Sequence, residues 1–282
     1  LIISFNHYFY QIGVDNYRVY YLKKVKVEKM YKTDFYSTIF KRRSIRDYDL
    51  TPLDENTLAE ISGYMGALKP MYGDIKTELK IVSSDNVKRR MMKEAPHYVA
   101  VFSEAKEGYL TNVGFMLQQV DLFFSAGGLG SCWQGIPSPT KELLKSSDLE
   151  FVIFLAFGKP KEPESLHRSS ILEFKRKPLQ KITNITGADE LMEAVCLAPS
   201  ATNSQPWFFT GDVNLIHAYS VKPGFIKGLM IKKYIPIDMG IAICHLKVAL
   251  EHSGKKAEIV FDKTAKTNAP KGHEYIASLK AE

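Results

Sequence analysis

Cysteine is scarce in this chain and long apolar runs are missing. Its three cysteines, Cys132, Cys196 and Cys244, form no Cys-x-x-Cys pair and no zinc-type spacing with histidine. That pattern excludes a disulfide framework and a structural zinc site, and it fits a reducing, cytoplasmic compartment. No apolar stretch approaches the ~18 residues of a spanning helix, so no membrane partner is expected. Catalytic signatures are missing as well: there is no Gly-x-Ser-x-Gly, no His-Glu-x-x-His and no Walker loop, which removes the common hydrolase, zincin and nucleotidase readings. Gly128-x-Gly130 lacks the third glycine of the dinucleotide fingerprint and follows a helical pattern rather than a strand.

What remains is the composition of a globular protein: 282 residues, 45% hydrophobic and 24% charged, enough for two domains or one larger fold. The net charge is +7, but five basic and two acidic residues before Met30 account for +3 of it. The remainder is well mixed, which argues against nucleic acid, whose partners display a clustered basic stripe. Residues 1–29 begin without Met and place their positive charge after their apolar part, the reverse of a secretory signal. They are expected to be an extension ahead of a native start at Met30, with a helix opening after Asp34.

The chain repeats itself at a constant offset of 126. Arg42, Ser44, Ile45, Pro52 and Leu53 recur as Arg168, Ser170, Ile171, Pro178 and Leu179, while Gly114 falls on Gly240 and Gly128 on Gly254. Each unit reads as a basic loop, a short helix capped by Asp54 or by Thr186, strand-like runs (His97–Phe102; Trp207–Tyr219), a long helix ending at glycine, and closing strands. Two half-units, 30–160 and 161–282, therefore predict an α+β fold in which one chain forms an intrachain pseudo-dimer.

Three clusters carry chemistry. Arg42, Arg43, Ser44 and Arg46 place guanidinium forks around a hydroxyl on a loop, which suits a terminal phosphate. The segment Ala198–Phe209 sets Ser200, Asn203 and Gln205 between Pro199 and Pro206 beside Trp207, a rigid polar loop that suits a planar heterocycle. Gly127–Gly135, which includes Cys132, Trp133 and Gln134, permits close backbone approach to a ligand. Each also has a plain reading, as a solvated basic loop, a capped turn or a packed aromatic. Tyr64, Tyr72 and Trp133 are stacking candidates, with core packing expected for at least two of the three. His97 and His245 are expected to be hydrogen-bonded structural residues.

Taken together, Arg42–Arg46, Pro199-Ser-x-x-Asn-x-Gln-Pro-Trp207 and Gly128–Gly135 resemble the FMN-binding elements of the nitroreductase superfamily, and the duplication resembles its fused subgroup. The likeness covers about residues 35–280. It implies a nitroreductase-like fold and NAD(P)H-driven, ping-pong hydride transfer through flavin N5 to a nitroaromatic, quinone or similar small-molecule acceptor, with no catalytic side chain of the protein's own. Arg42, Arg43, Ser44 and Arg46 would hold the phosphate and ribityl chain, joined by Arg176. Pro199, Ser200 and Asn203 would reach the flavin from the other half, and Cys132, Trp133, Gln134 and Gly135 would face its ring. Because Leu172 replaces Arg46 in the second unit and Leu68–Asp74 lacks the Asn-x-Gln-Pro-Trp pattern, one FMN per chain is expected, in a monomer. The competing readings are a flavin-binding protein without turnover and a basic nucleic-acid-binding module.

Overall fold

The computed structural model describes residues 34–89, 92–222 and 232–282. The N-terminal segment 1–29 and the expected start at Met30 lie outside the described residues. The first described helix, α1 (Phe35–Ile39), opens after Asp34 as the sequence predicts. Next, α2 (Glu55–Gly66) starts at Asp54, whose carboxylate accepts the Thr57 N–H, the side-chain cap that an exposed helix start requires.

Two antiparallel sheets follow in turn. The first uses β1 (Thr77–Ser83), β3 (His97–Ser103), β4 (Gly130–Gln134) and β6 (Glu150–Gly158) in the order β1-β3-β6-β4. A two-stranded ribbon, β2 (Val87–Lys88) with β5 (Ser138–Pro139), lies apart, and α4 (Lys141–Lys145) leads into β6. The second sheet uses β7 (Trp207–Gly211), β8 (Leu215–Val221), β9 (Ala257–Val260) and β10 (His273–Ala281) in the order β7-β8-β10-β9. Matching β1 to β7, β3 to β8, β6 to β10 and β4 to β9 makes the two sheets identical in topology. Each is closed by strands of its own half of the chain.

Two elements depart from the sequence reading. The run Trp207–Tyr219 is a hairpin rather than one strand, because the Asp212 carboxylate accepts the N–H groups of Asn214 and Leu215 and turns the chain. Thr186 does not cap the helix of the second unit: α5 (Asp189–Cys196) begins after Ala188 without a side-chain cap, and Asp189 and Glu190 in its first turn supply the favourable charge instead.

The long helices α3 (Tyr109–Ala126) and α6 (Ile235–His252) have the same length and lie 126 residues apart at both ends. Both are buried over most of their circumference, as helices that are apolar all round must be. They cross at Gly114 and Gly240. A Cβ on Gly114 would lie 2.1 Å from the Ile237 carbonyl oxygen, and one on Gly240 would lie 2.0 Å from that of Thr111. Thr111 and Ile237 are themselves 126 apart, so the contact is reciprocal. A second reciprocal contact joins the basic loops, where Arg42 pairs antiparallel with His167 and the Arg168 N–H donates to the Lys41 carbonyl at 2.8 Å. A continuous core runs through α3, α6 and the inner faces of both sheets. On β3, Val99 and Val101 enter that core while Tyr98, Ala100 and Phe102 fill a smaller one on the other face, the alternation a strand imposes.

Candidate functional site

The loop 42–46 is laid along β4. Ser44 bridges Ser131, the Ile45 N–H donates to the Ser131 carbonyl at 2.9 Å, and the Ile45 side chain sits where a Cβ on Gly130 would lie 2.7 Å away. This alignment brings Ser44 and Arg46 together with Cys132, Trp133 and Gly135 along one wall of a cleft of about 400 Å³. The opposite wall comes from the second half: Pro199, Ser200, Ala201 and Thr202, then Tyr234, Ile237, Asp238 and Ile241 from the start of α6. Tyr234 donates its hydroxyl hydrogen to the Gly135 carbonyl at 2.8 Å. A side chain at 135 would collide with that ring, so glycine is what lets the two walls meet.

The 199–205 loop is held in a conformation it would not adopt alone. Thr202 (φ 54°), Asn203 (φ 57°) and Gln205 (φ 44°) all lie in the left-handed region, an uncommon state for any residue with a Cβ and most of all for a β-branched one. Side chains pin it from several sides. Gln205 accepts from the Lys177 N–H (2.8 Å) and donates to the Cys196 carbonyl (3.2 Å), Ser200 Oγ accepts from the Gln205 N–H (2.9 Å), and Asn203 donates to the Lys175 carbonyl (3.0 Å). Both carboxylate oxygens of Asp238 lie within 3.1 Å of the Ala201 nitrogen. Buried on that contact, Asp238 has its pKa pushed up to about 8 by desolvation, the Ala201 hydrogen bond opposing the shift.

Of the residues singled out in the sequence, Ser44, Arg46, Cys132, Trp133, Gly135, Pro199 and Ser200 line this cleft; Arg42, Arg43, Gln134, Arg176 and Asn203 do not. Arg42 is only 2% exposed and lies 3.0 Å (Nε) from Oδ2 of the fully buried Asp121 on α3, while its Nη2 donates to Ser44 Oγ at 3.2 Å. It reaches the cleft only through Ser44. Arg176 donates to the Asn203 side-chain oxygen and, at 3.0 Å, to the Leu197 carbonyl, so these two residues brace one another behind the wall. Gln134 alternates to the far side of β4 from Trp133, as strand geometry requires.

Asp121 extends a buried polar chain between the halves. Ser131 Oγ donates to Oδ1 at 2.5 Å and Gln118 Nε2 to Oδ2 at 3.0 Å. Gln118 also lies 3.1 Å from His245 Nε2, and His245 Nδ1 donates to the Ala194 carbonyl at 2.9 Å. Burial drives the His245 pKa down to about 3, so it is neutral, with Nε2 as acceptor. His97 likewise accepts the Leu53 N–H at 2.9 Å. Both histidines are structural, as expected. Tyr64 and Tyr72 stack on Phe123 and Phe261, and of the three aromatic candidates Trp133 is the one at the cleft.

The sequence reading missed Thr202, Tyr234 and Asp238. Asp238 does carry a signal: it is an acid within a helix that is otherwise apolar over its first two turns. Arg46 and Asp238 are the Arg, Lys, Asp or Glu side chains on the walls among the described residues, and burial holds the Cys132 thiol above its ordinary pKa against the pull of Arg46 and Arg42. Trp133 Nε1 and Gln134 Oε1 are buried on β4 without a hydrogen-bond partner among the described residues.

A counterpart cleft of about 580 Å³ lies 126 residues away in register: Gly108, Thr111, Phe261 and Asp262 replace Tyr234, Ile237, Gly135 and Ile136. There glycine and ring exchange places, with Gly108 standing where Tyr234 does and Phe261 where Gly135 does. Phe261 stacks on Tyr72 at 5.0 Å, and Tyr72 packs directly on Gly108.

The fold resembles that of a "putative nitroreductase" from Thermotoga maritima, with 21% identity and a TM-score of 0.61 over 88% of this chain and 93% of that one. A nitroreductase family protein from Clostridium novyi NT (20% identity, TM-score 0.38) aligns with 46% of this chain and 87% of its own. An FMN-dependent nitroreductase from Clostridium difficile R20291 (18% identity, TM-score 0.39) aligns with 50% and 96%. No curated protein matches. The family model described as "Putative TM nitroreductase" matches residues 34–250, a span that holds both walls of the cleft, and the chain accordingly belongs to that nitroreductase family.

Proposed function

We propose that the chain is an FMN-dependent NAD(P)H oxidoreductase of nitroreductase type, built as a fused pseudo-dimer with one flavin site. The observation that carries this reading is the cleft itself, where the loop 42–46 and β4 of one half meet the 199–202 loop and α6 of the other, in a chain of this family. Bound FMN would supply the hydride chemistry, accepting from NAD(P)H and delivering to a nitroaromatic, quinone or similar acceptor. The protein's own part is binding, orientation and electrostatics. Ser44 and Arg46 would meet the anionic and polyol portions and Pro199 and Ser200 the ring, while Trp133 Nε1, buried at the cleft without a partner among the described residues, is a donor that a heterocycle with an acceptor edge would satisfy. Arg42 orients Ser44 from behind, and Asp238 holds the opposite wall in its left-handed conformation. Among the described residues no side chain on the walls is arranged as a nucleophile beside a base, which suits chemistry carried by a cofactor.

Two reciprocal contacts at offset 126 support the pseudo-dimer, and the replacement of Arg46 by Leu172 in the second unit supports a single flavin. The test is the visible spectrum of the purified protein, with released flavin quantified and NADH or NADPH then added without oxygen. About one FMN per chain, bleached by the reductant, is expected. Two flavins per chain would overturn the single-site reading, and a colourless protein that FMN does not reconstitute would overturn the function. Bound flavin that no nicotinamide bleaches would leave a flavin-binding protein without turnover.

A further inference from the structure

The two walls of the cleft are joined behind it by a continuous line of polar contacts through the interior. It starts on one wall at Ser44 Oγ, which accepts from Arg42 Nη2 at 3.2 Å, and passes from Arg42 Nε to Asp121 Oδ2 at 3.0 Å. Gln118 Nε2 donates to the same carboxylate oxygen at 3.0 Å and lies 3.1 Å from His245 Nε2 on α6. His245 Nδ1 in turn reaches the Ala194 carbonyl of α5 at 2.9 Å. Two residues further along α5, the Cys196 carbonyl accepts from Gln205 Nε2 at 3.2 Å, and the Gln205 N–H donates to Ser200 Oγ at 2.9 Å. Ser44 and Ser200, the two ends of the line, both face the cleft, from opposite halves of the chain.

The centre of the line has a fixed sense. Gln118, Asp121 and His245 are fully buried, and the Gln118 amide directs one hydrogen to the carboxylate and the other to the imidazole. Turning that amide over would set its oxygen against an anion and a ring lone pair, so a single orientation is favourable. Buried polar groups of this kind are often no more stabilising than apolar packing of the same volume, and their best-attested use is to specify register. The repeat does not reproduce them. At the offset of 126, Gln118, Asp121 and His245 fall on Cys244, Lys247 and Gln119. Lys247 pairs with Glu251 on its own helix, and Gln119 donates to the Lys69 and Phe115 carbonyls. Across a helix crossing that is reciprocal, the polar line is one-sided, and its ends lie on the cleft that holds Arg46.

Resting on the flavin reading above, we propose that Gln118 and His245 are positioning residues of this cleft: neither lines it, and together they fix the register of the Ser44 wall against the Ser200 wall, so that one flavin meets both.

The experiment uses flavin-free wild-type protein, Gln118→Met and, as a control, Gln119→Met, which removes an amide of equal size from the same helix without touching the line. Gln118→Met is expected to speed hydrogen exchange of the Gln205 amide, which belongs to the other half. It should also weaken FMN binding by tenfold or more and alter the visible circular dichroism of the flavin that still binds. The control should do none of these. Combined with Ser200→Ala, the loss of affinity should be smaller than the product of the two single losses; a full product overturns the proposal. Should Gln118→Met not fold, His245→Asn replaces it, since it keeps a donor for the Ala194 carbonyl and puts no acceptor at the Nε2 position, and the same changes are expected. A melting temperature that falls while Gln205 exchange and FMN affinity stay at wild-type values overturns the proposal, as does an equal loss in the control. Wild-type protein that takes up no FMN overturns the flavin reading and the flavin's part in this one, and unchanged Gln205 exchange in Gln118→Met would then overturn the coupling of the walls as well.

Discussion

Asp121 is fully buried and takes three partners, Arg42, Ser131 and Gln118. Removing a carboxylate from such a pair leaves its cation buried and uncompensated, a change worth about 3–5 kcal/mol. Asp121→Ala is therefore expected to lower the unfolding free energy measured in urea by an amount in that range and to loosen Ser44, which Arg42 holds. A loss under about 1 kcal/mol would mean that Arg42 finds water or another acceptor. Two other buried groups tilt stability with pH in opposite senses. The folded-state pKa of His245 is depressed, so its contribution is complete above the unfolded value near 6.5 and is lost as pH falls toward 3. The pKa of Asp238 is raised, so its contribution is complete below the unfolded value near 3.8 and is lost as pH climbs toward 8. Asp238→Asn should remove the second slope: its stability relative to wild type should rise between pH 4 and pH 8, by on the order of 5 kcal/mol in total. Parallel curves in that window would show that Asp238 ionises normally. Little of this was legible in the sequence. The RRSIR motif marks Arg42 as a ligand-type residue, but its partner Asp121 lies within the apolar pattern of α3, and only tertiary contact tells a ligand from a brace.

At the level of elements, the crossing of α3 and α6 depends on the missing side chains of Gly114 and Gly240. The obstruction in each case is a backbone carbonyl of the facing helix, which cannot rotate aside as a flexible side chain can. Gly114→Ala and Gly240→Ala should each destabilise by about 3 kcal/mol or more, the upper end of overpacking costs, and by similar amounts. Thermal unfolding checks both the size and the equality; a neutral alanine at either position would contradict the close crossing. These helices were readable because apolar spacing, length and glycine stops agreed. Strands β1 and β4 were not. Thr77–Ser83 is an edge strand of mixed polarity, and Gly130–Gln134 looks like a glycine-rich loop until the 42–46 segment is seen to need Gly130 as its seat. The Asp212 turn was hidden for a different reason, since apolar residues on both sides concealed a two-strand hairpin.

For the molecule as a whole, the α3 and α6 crossing and the bridge of the basic loops are reciprocal contacts satisfied within one chain. A monomer of 32.0 kDa is therefore expected by sedimentation equilibrium; a concentration-independent dimer would show that a further surface is engaged. The offset of 126 was legible in the sequence, and the long helices repeat at it with contacts that are reciprocal between matching residues. The asymmetry of the clefts was legible only in part. The sequence showed that the second loop had lost an arginine, but not that Gly108 and Phe261 stand where Tyr234 and Gly135 do, with Phe261 stacked on Tyr72.

That single glycine-to-phenylalanine difference has a genetic consequence. In an assembly of identical subunits each codon is read into every copy, so a substitution that reshapes one cleft reshapes them all. Here the two positions are written separately, and inheritance can fix a bulky ring at one while selection keeps the other bare. Each cleft is then free to change without the other, and the crossing of the shared helices is the part that both must keep.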